Sequence, residues 1–389
     1  MERHYGLDWL RIGAFGLLIF YHIGMFFVPW DWHVKTAAPM DWVQVPMLAT
    51  NAWRLALLFL VSGIASRFLL DKMAAPGRFA GQRSVRLLIP LFAGIILFVA
   101  PQPWAELQAK FGYPHGFWHF WTHDYFSFRM IGDGIALPTY NHLWFVAYLW
   151  VYTIVLAVGA ALLPASAKAK LQAGFDRLFS GARLLWLPIL LLWAARVTLY
   201  PIFDDTHALV DDWYNHVVYG GLFLFGVALA KSDGVWRAIV ASWKPAVALA
   251  LIGYVAIVAY VFYTGDDDLP EPWLALIRGL RSAHMWGAIV GLLALAQLKL
   301  NRDLPVRRYL TEAVFPYYIA HQTIIVLVGH GLTPYRLPPG TEFAIILSAT
   351  VVGCALTYEL ARRVPLLGPL LGLKWQRAVT QQRAAATTS

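Results

Sequence analysis

Ten apolar stretches, each near the ~20 residues that cross a hydrocarbon core, fill most of this chain: roughly 12–29, 48–70, 87–103, 142–163, 184–203, 213–230, 245–264, 281–298, 312–330 and 343–362. Lipid offers the backbone no hydrogen-bond partners, so such stretches must be helices or strands of a closed barrel, and their length selects helices. Composition agrees: only 14% of the 389 residues are charged and 59% are hydrophobic, whereas a soluble domain carries about 25% charged. The expected fold is an all-α polytopic membrane protein, a bundle of about ten transmembrane helices. The first stretch is too long for a signal peptide, and no small-x-small site follows before Pro29-Trp30, so it reads as a retained helix.

Charge in the loops tests this parsing independently. One alternating set, 1–11, 71–86, 165–183, 231–244, 299–310 and 363–389, holds 21 Lys and Arg; the other, 30–46, 104–141, 204–212, 265–272 and 331–342, holds 4. Basic loops stay cytoplasmic, so both termini are expected there. Acidic residues gather on the opposite side, at Asp204-Asp205, Asp211-Asp212 and Asp266-Asp267-Asp268. The net charge of +9 is therefore mostly topology, and no nucleic-acid partner is expected. With no internal repeat, residues 1–370 read as one membrane domain and 371–389 as a basic, low-complexity tail. The loop 104–141 is longer than ordinary connections and is where extra structure is expected.

Six arginines remain within or at the ends of the stretches: Arg54, Arg67, Arg196, Arg278, Arg281 and Arg362. Charges at membrane depth are costly and usually face the protein interior. Snorkelling from a helix end accounts for Arg67, Arg278, Arg281 and Arg362. Arg196 lies deeper, with no obvious partner in sequence.

The first helix is the most informative. Arg11 and His22 differ by eleven positions; at about 100° and 1.5 Å per residue they share one face about 16 Å apart. Asp8 lies three residues before Arg11 and can pair with it. A cation at the membrane edge suits phosphates, and a half-buried imidazole on the same stripe suits proton transfer. A satisfied core histidine beside an orientation-setting arginine is the bland alternative. Three further sites carry the same ambiguity. Arg83 and Arg86 form an i, i+3 fork that is either a phosphate site or a positive-inside flank. His142 and Trp144 open the fourth stretch, and Tyr317, Tyr318, His321 and Gln322 lie deep in the ninth.

Together these motifs resemble the acyltransferase-3 family of membrane O-acyltransferases. The residues concerned are the Arg-x10-His pair Arg11 and His22, Phe-x-x-Ser-Gly at Phe59 to Gly63, Arg-x-x-Arg at Arg83 and Arg86, His142-x-Trp144-Phe145, and Tyr318-x-x-His321-Gln322. Trp32-His33-Val34 and Arg54 are similar to a glucan-biosynthesis subgroup inferred to succinylate periplasmic glucans. The resemblance implies a bacterial inner-membrane enzyme that moves an acetyl or succinyl group from cytoplasmic acyl-CoA to a hydroxyl of an extracytoplasmic polysaccharide or oligosaccharide. No permanently bound cofactor is implied. Arg11, Arg83 and Arg86 would hold the donor phosphates, and His22 would act as base or acyl relay. His321 and Tyr318 would orient or polarise, while Arg54, His142 and Trp144 would meet substrate.

Other constellations are weaker. His115, His119 and His123 recur at i, i+4, i+8, as in an interfacial amphipathic helix or, with an incomplete ligand set, a zinc site. Asp266 to Asp268 lack the glycine and spacing of an EF-hand loop. Cys354 reads as an inert core residue, and Ser62-Gly63 as a close helix contact rather than a nucleophile. The rival class is a proton-coupled transporter, which also places His and Arg at membrane depth.

Overall fold

The computed structural model describes residues 5–73, 75–132, 134–203, 205–264 and 269–374. Asp204, the run Asp266-Asp267-Asp268 and most of the 371–389 tail lie outside the described residues. Helix covers all ten apolar stretches, and strand is confined to one two-stranded ribbon among the described residues. Among the described residues seven helical segments are long and apolar enough to cross a membrane: Tyr5–Phe27, Asp41–Met73, Pro76–Phe111, Asn141–Leu162, Trp243–Tyr263, Glu271–Leu298 and Pro339–Arg363. The count rises to nine if each of two bent pairs is one span.

The long helices are α1 (Tyr5–Phe27), α2 (Gln44–Asn51), α3 (Arg54–Met73), α4 (Pro76–Gly94), α5 (Pro101–Phe111), α6 (Trp144–Leu162) and α7 (Ala165–Phe179). They continue with α8 (Arg183–Thr198), α9 (Gly221–Leu229), α10 (Asp233–Ala241), α11 (Trp243–Tyr263), α12 (Glu271–Leu298), α13 (Pro305–Leu332) and α14 (Pro339–Arg363). The stretch at 184–203 becomes the 16-residue α8, bent by 102° from α7 where Gly181 adopts φ 65°. Glycine reaches that left-handed conformation without strain. The segment Trp213–Leu229 bends by 110° into α10, which Ser232 caps by accepting the Val235 N–H. Helix α13 has ample length at 28 residues; Tyr317, Tyr318, His321 and Gln322 lower its apolarity, and it is not among the seven.

Two compact units, each discontinuous in sequence, make up the chain. The first comprises Met1–Gly24, Met40–Arg83 and Ala147–Thr311. Its helices meet through small residues, since lipid provides no hydrophobic drive for helix pairing and van der Waals contact must hold them. A Cβ on Gly63 would stand 2.0 Å from the Phe223 carbonyl oxygen, and one on Gly226 2.0 Å from that of Leu60, so α3 and α9 touch backbone to backbone. The packing role expected for Ser62-Gly63 is thus found. Helices α11 and α12 meet similarly at Gly253 and Gly287, and the Trp286 indole donates to the Leu184 carbonyl at 2.7 Å. Asp8 is gripped by the buried Arg307 at 2.5 Å, with Asp303 on the same guanidinium at 2.7 Å. Arg307 reads in the sequence as an ordinary loop cation, and only the fold reveals this partnership.

Three of the four arginines assigned to snorkelling form ion pairs within one or two turns: Arg67 with Asp71, Arg278 with Glu271 and Arg362 with Glu359. For Arg281 the expectation is corrected. Helix α12 starts at Glu271, a full ten residues before Arg281. The guanidinium therefore lies about 15 Å along the helix and donates to Asn51 Oδ1 at 2.6 Å.

The second unit comprises Met25–Pro39, Ser84–Val146 and Glu312–Ser389. The expected extra structure between 104 and 141 is present. A short helix, a π-helical turn over Phe120–Asp124 and a ribbon pairing Met130 with Ala136 pack around Ala100, Leu107, Phe120, Tyr125 and Leu137. The His115, His119 and His123 rings stack in sequence, 4.0 and 4.5 Å between centroids, with His119 and His123 in the helical run 117–124 and His115 just before it. Among the described residues no group of three His, Cys, Asp or Glu is placed to hold a metal ion. Tyr113 donates to Asp124 there, and burial, then that carboxylate, push its hydroxyl pKa up. Lys35 donates to the Met25, Val28 and Trp30 carbonyls, closing the end of α1. Burial pushes its ammonium down to about 8. Cys354 is buried with its thiol towards the Tyr317 carbonyl, as a core residue would be.

Candidate active site

In the second unit, α13 brings Tyr318 and His321 to the start of α6, where His142 lies in a helical turn over Asn141–Leu143. His321 is fully buried. Its Nδ1 lies 2.7 Å from the Tyr318 carbonyl and 3.2 Å from that of Tyr317. A carbonyl can only accept, so Nδ1 carries the proton and the lone pair sits on Nε2. His142 has the opposite tautomer by the same argument, because its Nε2 faces the Ile319 carbonyl at 3.2 Å. The two rings stand edge to face at 5.2 Å. The Tyr318 hydroxyl donates to the His142 carbonyl and so fixes α13 against that turn.

From His142 a branched hydrogen-bond chain runs through Gln102, Gln322 and His33 to Glu106. Gln102 Nε2 donates to Thr323 at 2.7 Å and lies 3.4 Å from His142 Nδ1. Its Oε1 accepts from Asn141 and Gln322, both at 3.0 Å. Gln322 Nε2 reaches His33 Nε2 at 3.1 Å, and His33 Nδ1 meets Glu106 at 2.5 Å. Each donor along this path faces an acceptor when His33 carries its proton on Nδ1. Lys110 closes the chain, bonding Glu106 at 2.9 Å and Asp31 at 2.8 Å.

Gln102, Glu106, Lys110, Asp31 and Thr323 are the members that motif reading missed. Gln102 did carry a signal, as a glutamine inside the apolar stretch 87–103. Glu106 carried none, since it falls in what reads as an outer loop. Trp144 is buried in the first turn of α6.

The other candidates lie on α1, α3 and α4. Arg11 and His22 share α1 within the first unit, where Arg11 reaches the Thr311 carbonyl at 3.5 Å. The His22 ring is half-buried, 6.1 Å from the Tyr21 ring. Arg54 is buried with its guanidinium 3.3 Å over the Tyr21 ring. Arg83 is half-buried in the first unit, whereas Arg86, three residues later on α4, is exposed and belongs to the second.

Apolar helices of spanning length that carry these buried polar side chains are those of a membrane protein. Residues 4–359 match the acyltransferase-3 family, described as an acyltransferase domain, and the chain belongs to that family. Glucans biosynthesis protein C of Salmonella schwarzengrund is 24% identical over 391 residues, covering 94% of this chain and 93% of the relative. Its counterpart in Salmonella paratyphi A is 25% identical over the same coverage. No solved structure matches.

Proposed function

We propose that this membrane acyltransferase moves an acetyl or succinyl group from cytoplasmic acyl-CoA to a hydroxyl of an extracytoplasmic glycan. The observation that carries the reading is the Arg11–His22 stripe on α1 in a chain of this family. The relatives' name favours a glucan as acceptor. In this reading ten spans cross a bacterial inner membrane with both termini in the cytoplasm, which suits the 21-to-4 division of loop cations. Arg11, Arg83 and Arg86 bind the donor phosphates. His22 takes the proton of the acceptor hydroxyl while its oxygen attacks the thioester carbonyl. The carbon–sulfur bond then breaks, and the proton passes from His22 to the departing CoA thiolate. Alternatively, His22 carries the acyl group itself. His321, with its lone pair on Nε2, and Tyr318 orient and polarise; Arg54, His142 and Trp144 meet substrate.

Inverted vesicles holding the protein and an oligoglucan, given acyl-labelled acetyl- or succinyl-CoA outside, are expected to yield ester-linked label on the glucan. Unmodified label accumulating in the lumen would instead identify a transporter. Arg83→Ala is expected to raise the apparent donor KM about 10-fold, the loss of one charge-assisted phosphate contact. A fall in kcat at constant KM would remove Arg83 from the donor site.

A further inference from the structure

The first unit holds Arg54, Arg196 and Arg281 inside its helices, and of these the acyl-transfer reading uses only Arg54; Arg196 and Arg281 are half-buried. Arg54, on α3, is 5% exposed. Arg196 on α8 donates to the Tyr214 hydroxyl at 2.9 Å and lies 4.3 Å from the Tyr200 ring centroid. Arg281 on α12 bonds Asn51, whose amide in turn donates to the Tyr21 hydroxyl at 2.7 Å. These contacts link Arg54, Tyr21, Asn51 and Arg281 directly, and Arg196 is near enough to Arg281 for their like charges to interact.

Among the described residues none of the three has a carboxylate partner. Asp205 lies in electrostatic range of Tyr219, as Arg54 and Arg281 do, but it bonds Asn215 and His207 instead. The buried Asp212 is taken by Tyr148 and Asn215. Meanwhile the Nε atoms of all three arginines, and one terminal nitrogen of Arg54, are buried without a hydrogen-bond acceptor. Three cations faced by aromatic rings, hydroxyls and an amide are costly in low dielectric unless an anion completes them. Arginine's planar fork matches a carboxylate with two parallel bonds. Arg54 covers Tyr21, the residue next to His22, so an anion held here would sit beside the proposed base.

We infer that Arg54, Arg196 and Arg281 form a binding site for a carboxylate, supplied either by the far end of a dicarboxylic acyl group or by an acidic sugar of the acceptor. Only the choice between these sources rests on the acyl-transfer reading. The site makes the enzyme selective for an anionic substrate over its neutral counterpart, and it gives Arg196 and Arg281 a role.

Equilibrium binding to the full chain in detergent tests this with two pairs of probes: succinyl-CoA against acetyl-CoA, and a glucuronate-containing oligosaccharide against a neutral one. In one pair the carboxylate-bearing probe is expected to bind at least about 10-fold more tightly, the factor of one charge-assisted hydrogen bond. The pair that shows it names the source. Arg281→Gln and Arg196→Gln should each shrink that ratio, and Arg281→Lys should restore part of it. Equal affinities within both pairs for the unaltered protein would overturn the site, whatever the variants do. Binding is read without turnover, so a clear preference with no transfer refutes the acyltransferase reading alone. Transfer with no preference refutes this site alone.

Discussion

His22→Ala is expected to lower acyl transfer to the glycan by about 10²–10⁴-fold, the span usual for loss of a general acid–base group. The imidazole stands three turns along α1 from Arg11, half-buried and on the same stripe. Removing it leaves the helix intact, because alanine is the best helix former and the ring is not part of the fully buried core. Protein level in the membrane and melting temperature should therefore match the unaltered chain while transfer collapses. If His22 relays the acyl group, a label trapped on the protein with donor alone should vanish in this variant too. A His22→Ala protein that transfers at the normal rate would show the stripe to be structural.

Gly63→Ala is expected to act on folding instead. The added Cβ would meet the Phe223 carbonyl oxygen at 2.0 Å, and a helix backbone cannot turn aside as a flexible side chain can. Overpacking of this kind costs about 1–3 kcal/mol, and here the cost should reach or pass the upper figure. Gly226→Ala meets Leu60 in the same way from the other helix, at the same distance. Gly159 on α6 has open space around it and supplies the control. There alanine should be neutral or stabilising, by about 0.5–1 kcal/mol. The measurement is thermal unfolding of each variant in detergent. Equal melting temperatures for Gly63→Ala and Gly159→Ala would show that α3 and α9 are not packed as described.

These two residues also mark how differently the fold and the site are written in the chain. Gly63 and His22 both stand in short motifs, yet the motif says only that a residue is there. Gly63 needs the carbonyl opposite to show why a methyl group is excluded. Gln102 was visible as a polar residue in an apolar stretch, but its partners His142, Gln322 and Thr323 come from segments up to 221 positions away. Arg281 read as a helix-end cation because Glu271 and Arg278 break the apolar run before it, while the helix itself starts ten residues earlier.

By itself the sequence determined what the solvent dictates. Apolar length set the helical class, because lipid forbids unpaired backbone. Periodicity placed Arg11 and His22 on one face, because both belong to one helix. The five motifs, read in order, pointed to the family. Only the tertiary structure decided which polar groups face one another: the tautomers of His142 and His321, the chain from His33 to Gln102, and the gathering of Arg54, Arg196 and Arg281. The physical reason is that hydropathy and spacing act along one element, whereas hydrogen bonds and ion pairs inside a membrane protein join side chains from different elements. Their partners exist only once those elements have packed.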